Sequence, residues 1–296
     1  MKRVLVLAAA VMAVVISAKA EVEFAYDAGA EIVSAYIWRG QYNGGLSFQP
    51  DVEIGFDGEH TSLRVGAWAS LGSSDWTFRK DQGDGSGFTR FMPELDIVGS
   101  FSVYGLGIGF NHYYYFDGTN FFSWTKDENL IDPGTGEANT QTTTEVWIGY
   151  NFGHLFGDKA GAYINWYTTV AGGDFVTDDI TGNPRRAWSS YLELGYGYTF
   201  EDAGVTLGAQ LGMSPWKSNL YGNNRFAVTN ISLKIDKEWE LDHCSINLFA
   251  QGSLNPDGMV TDPNDPAYNV VLWKAAGDDK LYTQRLNGVI GIGFWF

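Results

Sequence analysis

The stretch Leu46-Ser47-Phe48-Gln49-Pro50-Asp51-Val52-Glu53-Ile54-Gly55-Phe56 sorts its side chains into two sets without a break. Leu46, Phe48, Pro50, Val52, Ile54 and Phe56 share one parity, and Ser47, Gln49, Asp51, Glu53 and Gly55 share the other. Successive side chains of an extended strand point to opposite faces, so this spacing makes one greasy face and one polar face, whereas a helical period would mix them. The same split recurs in Leu63, Val65, Ala67, Ala69 and Leu71 against Ser62, Arg64, Gly66, Trp68 and Ser70. It returns in Val205, Leu207, Ala209 and Leu211 against Thr206, Gly208, Gln210 and Gly212. Strands whose apolar side faces lipid and whose backbone is satisfied by neighbouring strands are how a closed barrel crosses a bilayer.

Outward from that stretch, the sequence predicts twelve strands, near 28–39, 46–56, 62–71, 90–99, 103–116, 142–152, 160–171, 187–200, 203–213, 225–236, 243–253 and 286–296. The last ends on Phe294, Trp295 and Phe296. The expected fold is all-β, a 12-stranded antiparallel transmembrane β-barrel over 21–296. Connections near 57–61, 100–102, 153–159, 201–202 and 237–242 are short, and those near 72–89, 117–141, 172–186, 214–224 and 254–285 are long and rich in Gly, Asp, Asn and Pro. Bacterial barrels pair short periplasmic turns with long outer loops, which places this chain in the bacterial outer membrane with both termini periplasmic. The connection Gln41 to Gly45 is the exception, short yet expected outside. Twelve tilted strands give a backbone diameter of about 24 Å, between a side-chain-filled barrel and an open aqueous channel.

Residues 1–20 read as a removable export signal: basic Lys2 and Arg3, an apolar run from Val4 to Ile16, then Ala18-Lys19-Ala20 for cleavage. No other segment approaches the roughly 18 consecutive apolar residues of a membrane helix. Thirty-seven Gly, sixteen Tyr and eleven Trp against eight Pro fit strands that alternate small inward positions with aromatics. The lone Cys244 excludes an internal disulfide framework. Losing Lys2, Arg3 and Lys19 moves the formal charge from −16 to −19, which argues against nucleic acid as a partner.

Parity also assigns the lining of the bore. Glu31, Asp51, Glu53, Glu94, Asp96, Glu145 and Glu193 point inward against Arg39, Arg64, Arg90 and Lys234. With a tight turn at 57–60, Glu53 would face Arg64, and the next register would bring Asp96 to its other side. The expectation is a lumen charge cluster of Asp51, Glu53, Arg64, Glu94 and Asp96, with Arg39 at the outer rim. Such a cluster serves either as an ion-pair plug or as a constriction favouring cations and neutral polar solutes. Trp68, Tyr113, Tyr115, Trp147, Tyr163, Tyr167 and Tyr191 share the inward parity, as space-filling rings or as flat faces for ligands such as sugars. Phe56, Phe101, Phe110, Tyr114, Tyr150, Phe152, Trp188, Tyr198, Phe200, Phe294 and Phe296 face out near strand ends and read as interfacial girdles.

An enzyme would need a base beside a hydroxyl or thiol. His60, His154 and His243 fall at short turns, and His112 lies on the outward face with Ser123 in the loop beyond it, so a lipid-modifying site is the weakest of the readings. Loop acids Asp127, Glu128, Asp132, Glu137, Asp174, Asp178, Asp179, Asp257, Asp262, Asp265, Asp278 and Asp279 match no calcium-loop spacing. No metal and no cofactor is expected. The last long loop, with Asn255-Pro256-Asp257-Gly258, offers a lid or a contact for an envelope protein.

Ser34-Ala35-Tyr36-Ile37-Trp38-Arg39-Gly40-Gln41, followed by Gln49-Pro50, resembles the opening of the TorF-type porins, small bacterial outer-membrane barrels. The resemblance is specific over about thirty residues and otherwise rests on strand rhythm and the terminal Phe296. It implies a porin-like barrel, draws attention to Arg39 and Gly40, and carries no substrate with it. The functional expectation is passive diffusion of small hydrophilic solutes. A non-conducting scaffold for envelope partners is the alternative.

Overall fold

A computed structural model describes residues 22–73, 91–116, 121, 140, 142–156, 160–178, 180–256 and 286–296. The expected export signal, Arg90 and most of the loop acids lie outside these residues. The strands, in chain order, are β1 (Glu23–Val33), β2 (Tyr36–Trp38), β3 (Gln41–Gly44), β4 (Ser47–Asp57), β5 (Thr61–Ser73), β6 (Phe91–Val103), β7 (Leu106–Tyr114) and β8 (Thr143–Asn151). They continue as β9 (Ala160–Gly172), β10 (Phe175–Thr177), β11 (Pro184–Arg186), β12 (Ser190–Phe200), β13 (Val205–Ser214), β14 (Ala227–Glu240), β15 (Ser245–Leu254) and β16 (Leu286–Trp295). Among the described residues, an α-helical turn, α1 (Gly153–Phe156), and a 3-10 turn at Glu201–Ala203 interrupt them.

Twelve of these strands form a closed antiparallel barrel in the order β1-β16-β15-β14-β13-β12-β9-β8-β7-β6-β5-β4, while β2 with β3 and β10 with β11 are separate hairpins. The twelve-stranded fold read from the sequence is therefore the fold of the chain. Closure is made by β1 against β16, from Gly29 opposite Trp295 to Val33 opposite Gly291. The Phe296 N–H donates to the Ala28 carbonyl beyond that ladder.

The two faces separate as the alternation requires. Phe48, Val52, Ile54 and Phe56 on β4, Val65 on β5, Ile108 on β7, Ile148 on β8, Leu207 on β13, Leu233 on β14 and Ile290 on β16 are exposed on the outside, whereas Ser47, Gln49, Ser70, Glu94, Asp96 and Asn247 are buried within. Soluble monomers rarely expose apolar patches beyond a few hundred Å². Here the apolar surface runs round the whole circumference, and hydrocarbon is the solvent that suits it.

One end of the barrel carries the short turns and the other the long connections; the start of β1 and the end of β16 both lie at the short-turn end. The β6–β7 turn shows how tight these are. Tyr104 and Gly105 have φ of 49° and 82°, the left-handed pair of a two-residue hairpin whose twist matches the strands it joins.

The first strand departs from expectation. It starts earlier, at Glu23, and leaves the wall after Val33 instead of continuing to position 39. Residues 34–46 do not form a short outer connection. They turn into the bore as the β2–β3 hairpin, because the aromatic and charged side chains at 36–39 find partners there that the membrane cannot supply.

Candidate functional site: a hairpin inside the barrel

The β2–β3 hairpin turns at Arg39 and Gly40, whose φ values are 49° and 82°. Arg39 is not at the outer rim. Its guanidinium donates from Nη1 to Glu145 Oε2 at 2.9 Å and from Nη2 to Glu145 Oε1 at 2.7 Å, a two-pronged pair between the hairpin turn and β8. Nη1 also donates to the Tyr221 hydroxyl at 2.6 Å. The two side chains are only 9% and 2% exposed, so water does little to screen them. Around the remaining carboxylate valence, Tyr113 donates its hydroxyl proton at 2.6 Å and Asn111 Nδ2 donates at 2.8 Å, both to Oε1.

Aromatic faces enclose this pair. The guanidinium carbon lies 4.0 Å from the ring centre of Tyr167, and 4.6 Å from those of Trp38 and Tyr191. A planar cation held between π faces gains from each of them. Tyr221 stacks on Trp38 with ring centres 5.7 Å apart and on Tyr191 at 5.3 Å, while Trp38 meets Tyr113 edge-on at 5.8 Å. The sequence parity placed Tyr113, Glu145, Tyr167 and Tyr191 inward and pointed to Arg39. It missed Tyr36 and Trp38, which it assigned to a wall strand, and Tyr221, which sits in the β13–β14 connection where no periodicity reports direction. The Arg-Gly pair between Trp38 and Gln41 was the available signal, since a positive-φ dipeptide between short extended runs marks a hairpin.

The hairpin reaches across the bore. Tyr36 packs against Trp68 of β5 at 5.3 Å, and the Asn287 side-chain amide of β16 donates to the Gly40 carbonyl at 3.0 Å. A Cβ on residue 40 would collide with the Thr229 carbonyl oxygen of β14, so only glycine lets the tip seat there.

The expected charge cluster is divided between two heights. On β4 and β5, Gly55, not Glu53, stands opposite Arg64, and Glu53 stands opposite Gly66. Arg64 therefore pairs with Asp57 near the turn end and reaches Glu53 at 3.8 Å. Asp96 faces Trp68 and Glu94 faces Ser70, well along β5 from Arg64. Glu94 instead lies close to Tyr36, Tyr115 and Asp96, and both acids are buried. Asp51 stands opposite Trp68 and Gly29, away from Arg64.

Below the hairpin the bore is polar and acidic. Asp27 opposes Glu53 and Glu31 opposes Gln49 across the β1–β4 ladder. Lys234 lies 3.7 Å from Asp236. Tyr163 donates to Glu193 at 3.0 Å and accepts from Gln210 Nε2 at 2.8 Å. Trp147 packs on Tyr167 at 6.3 Å. Asp27 and Asp236 belong to this lining and escaped the sequence reading.

His112 faces outward on β7, as its parity requires, but is 1% exposed. Its Nδ1 lies 2.8 Å from the Thr144 hydroxyl and its Nε2 is 2.6 Å from the Phe121 carbonyl oxygen. Ser123 lies outside the described residues. Among the described residues, no group of three or more His, Cys, Asp or Glu is arranged to hold a metal ion.

Fold and site together define a membrane-spanning antiparallel barrel whose loop half is occupied by its own hairpin. No described protein family and no curated protein matches the sequence. Among solved structures the chain is similar to an outer-membrane channel from Pseudomonas putida F1, with 12% identity and a TM-score of 0.46 over 93% of this chain and 94% of that one. It is also similar to the CymD monoaromatic hydrocarbon channel, at 11% identity and a TM-score of 0.37 over 91% and 87% of the two chains. An anion-selective porin from Comamonas acidovorans shares 11% identity and a TM-score of 0.29 over 93% and 99%.

Proposed function

We propose that the chain is a porin-like channel of the bacterial outer membrane through which small hydrophilic solutes diffuse passively, narrowed in its loop half by the β2–β3 hairpin. The observation that carries this reading is a polar, acid-rich bore that leads up to a hairpin pinned by one buried guanidinium. Inward Asp27, Glu31, Asp51 and Glu53 favour hydrated cations and neutral polar molecules over anions. Long connections face outward from the cell and both termini face the periplasm in this arrangement. The lumen aromatics brace the hairpin, so saccharide stacking is not required to explain them. The resemblance to TorF-type porins belongs with this proposal and rests on residues 34–41 and 49–50.

The packing of Arg39 also favours a second reading, a permanently closed barrel that scaffolds envelope partners through its loops. Single-channel recording in planar bilayers separates the two. A steady cation-selective current that grows in Arg39→Ala supports the channel. Silence in both the native protein and Arg39→Ala sinks it and leaves the scaffold.

A further inference from the structure

The wall of the barrel is not equally secured all round. Eleven of its twelve seams are ladders of eight to thirteen residue pairs, whereas the β1–β16 seam has five, Gly29–Val33 with Gly291–Trp295. The cause is the hairpin itself. Once β1 turns into the bore after Val33, β16 runs on through Leu286–Val289 past the end of its wall partner. At the edge, the Ser34 N–H donates to the Ile290 carbonyl and the Ile290 N–H donates to Ser34 Oγ, both at 2.9 Å.

Both sides of this short seam are apolar. Inside, Val33, Phe249 and Val289 form a buried aliphatic and aromatic cluster on which Ala35 and Ile37 of the inward segment pack, with the Lys234 ammonium 4.3 Å from the Phe249 ring centre. Outside, a groove of about 660 Å³ runs over Ala250, Gly252 and Gly288 between Leu233, Ile235 and Ile290, with Ser34 at its margin. Gly252 stands opposite Gly288 across β15–β16, so two adjacent outward positions that elsewhere carry bulky side chains carry none. A Cβ at Gly252 would meet nothing within 4 Å, and one at Gly288 nothing nearer than 4.0 Å.

We propose that the β1–β16 seam is a lateral portal through which small apolar or amphipathic molecules pass between the bore and the bilayer core. A molecule with an apolar body moves from the Val33–Phe249–Val289 cluster, past the edge of β16, to the Gly252–Gly288 groove once the two Ser34–Ile290 hydrogen bonds part. The motion asked of the barrel is small, because no ladder continues above that point on β1. A hydrophilic solute gains nothing from this route and stays on the barrel axis. The portal goes beyond the axial channel proposed above and does not depend on it.

The test locks the seam. Ser34 and Ile290 face each other across an antiparallel pair, whose Cα separation of about 5.5 Å suits a disulfide. Ser34→Cys with Ile290→Cys, in a Cys244→Ser background, is produced in a Gram-negative host whose lipopolysaccharide leaflet excludes N-phenyl-1-naphthylamine, and uptake of that dye is followed by fluorescence. Native protein is expected to raise uptake over cells lacking it. The oxidised pair loses that increase and dithiothreitol restores it. Gly252→Leu and Gly288→Leu, which fill the groove without a cross-link, are expected to lower uptake several-fold. Uptake equal to native in the locked and the filled variants, or no increase with native protein, overturns the portal. Planar-bilayer conductance of the same locked protein reports separately on the axial channel: it stays at the native value if the portal is a distinct route, and its absence from native protein counts against the channel alone.

Discussion

At residue scale, Arg39 is where this chain concentrates its electrostatics. A buried pair loses the hydration of both ions, and removing one partner strands the other, which costs about 3–5 kcal/mol. Arg39→Ala and Glu145→Gln are each expected to destabilise the folded barrel by that order, read from urea unfolding in lipid vesicles by tryptophan fluorescence. Arg39→Lys keeps the charge but loses the planar fork, and is expected to fall between native and Ala. Gly40→Ala tests the tip from another side: the collision of the new methyl group with the Thr229 carbonyl, together with φ of 82°, should unseat the hairpin and raise conductance if the channel reading holds. Parity alone made Glu145, Tyr113, Tyr167 and Tyr191 legible as bore residues. Their convergence on one guanidinium was not legible, because they come from β7, β8, β9 and β12, and only closure fixes which of them meet. The Arg64 cluster was divided for a related reason: Arg64 keeps Glu53 at 3.8 Å but stands away from Asp51, Glu94 and Asp96. The observed register moves Arg64 from Glu53 to Gly55, a slip of two that leaves every side chain on its predicted face, so alternation cannot detect it.

At the scale of elements, the hairpins and loops carry what the wall strands leave open. The β10–β11 hairpin turns on Asp178, whose Oδ1 accepts from the backbone N–H of Thr181 at 2.9 Å and of Ile180 at 3.0 Å, with Arg185 Nε 3.2 Å from Oδ2. These bonds favour the ionised form, the Thr181 N–H first among them, and hold the carboxyl below its ordinary 3.8. A depressed acid stabilises the fold above its unfolded value and loses that contribution as pH falls through the folded one. Protection of the Thr181 amide, its exchange rate relative to the intrinsic rate at the same pH, should therefore be high at neutral pH and fall in strong acid, and Asp178→Asn should flatten this dependence. Unchanged protection of native Thr181 across that range would refute the assignment. Asp174, in the same connection, goes the other way: burial pushes its carboxyl up although Ser189 donates to it from both backbone and hydroxyl. The first wall strand was misplaced because Tyr36, Ile37 and Trp38 continue an extended pattern across the point where the chain leaves the sheet, and β propensity does not distinguish a wall from a plug.

For the whole molecule, the decisive contrast is between two adjacent residues. Val52 is 48% exposed on the outer face at the middle of β4, and Asp51 faces a bore already containing Asp27, Glu31 and Glu53. Val52→Arg should cost about 2–4 kcal/mol in a bilayer, the depth-dependent penalty for a charge against lipid. Asp51→Arg should leave stability near native and shift ion selectivity away from cations. Equal effects at the two positions, measured by reversible folding into lipid vesicles, would contradict the barrel's inside and outside.

By itself the sequence determined the class of fold, the number of wall strands and the face each side chain takes, because a period of two repeated along segments such as 46–56 and 203–213 has one solution in a membrane. Only the tertiary structure decided that residues 34–46 turn inward, that Arg39 finds Glu145, and that the closing seam is left short. Those outcomes depend on which strands meet across the bore, and such distances are set by register and closure, to which a local alternation of polar and apolar residues is blind.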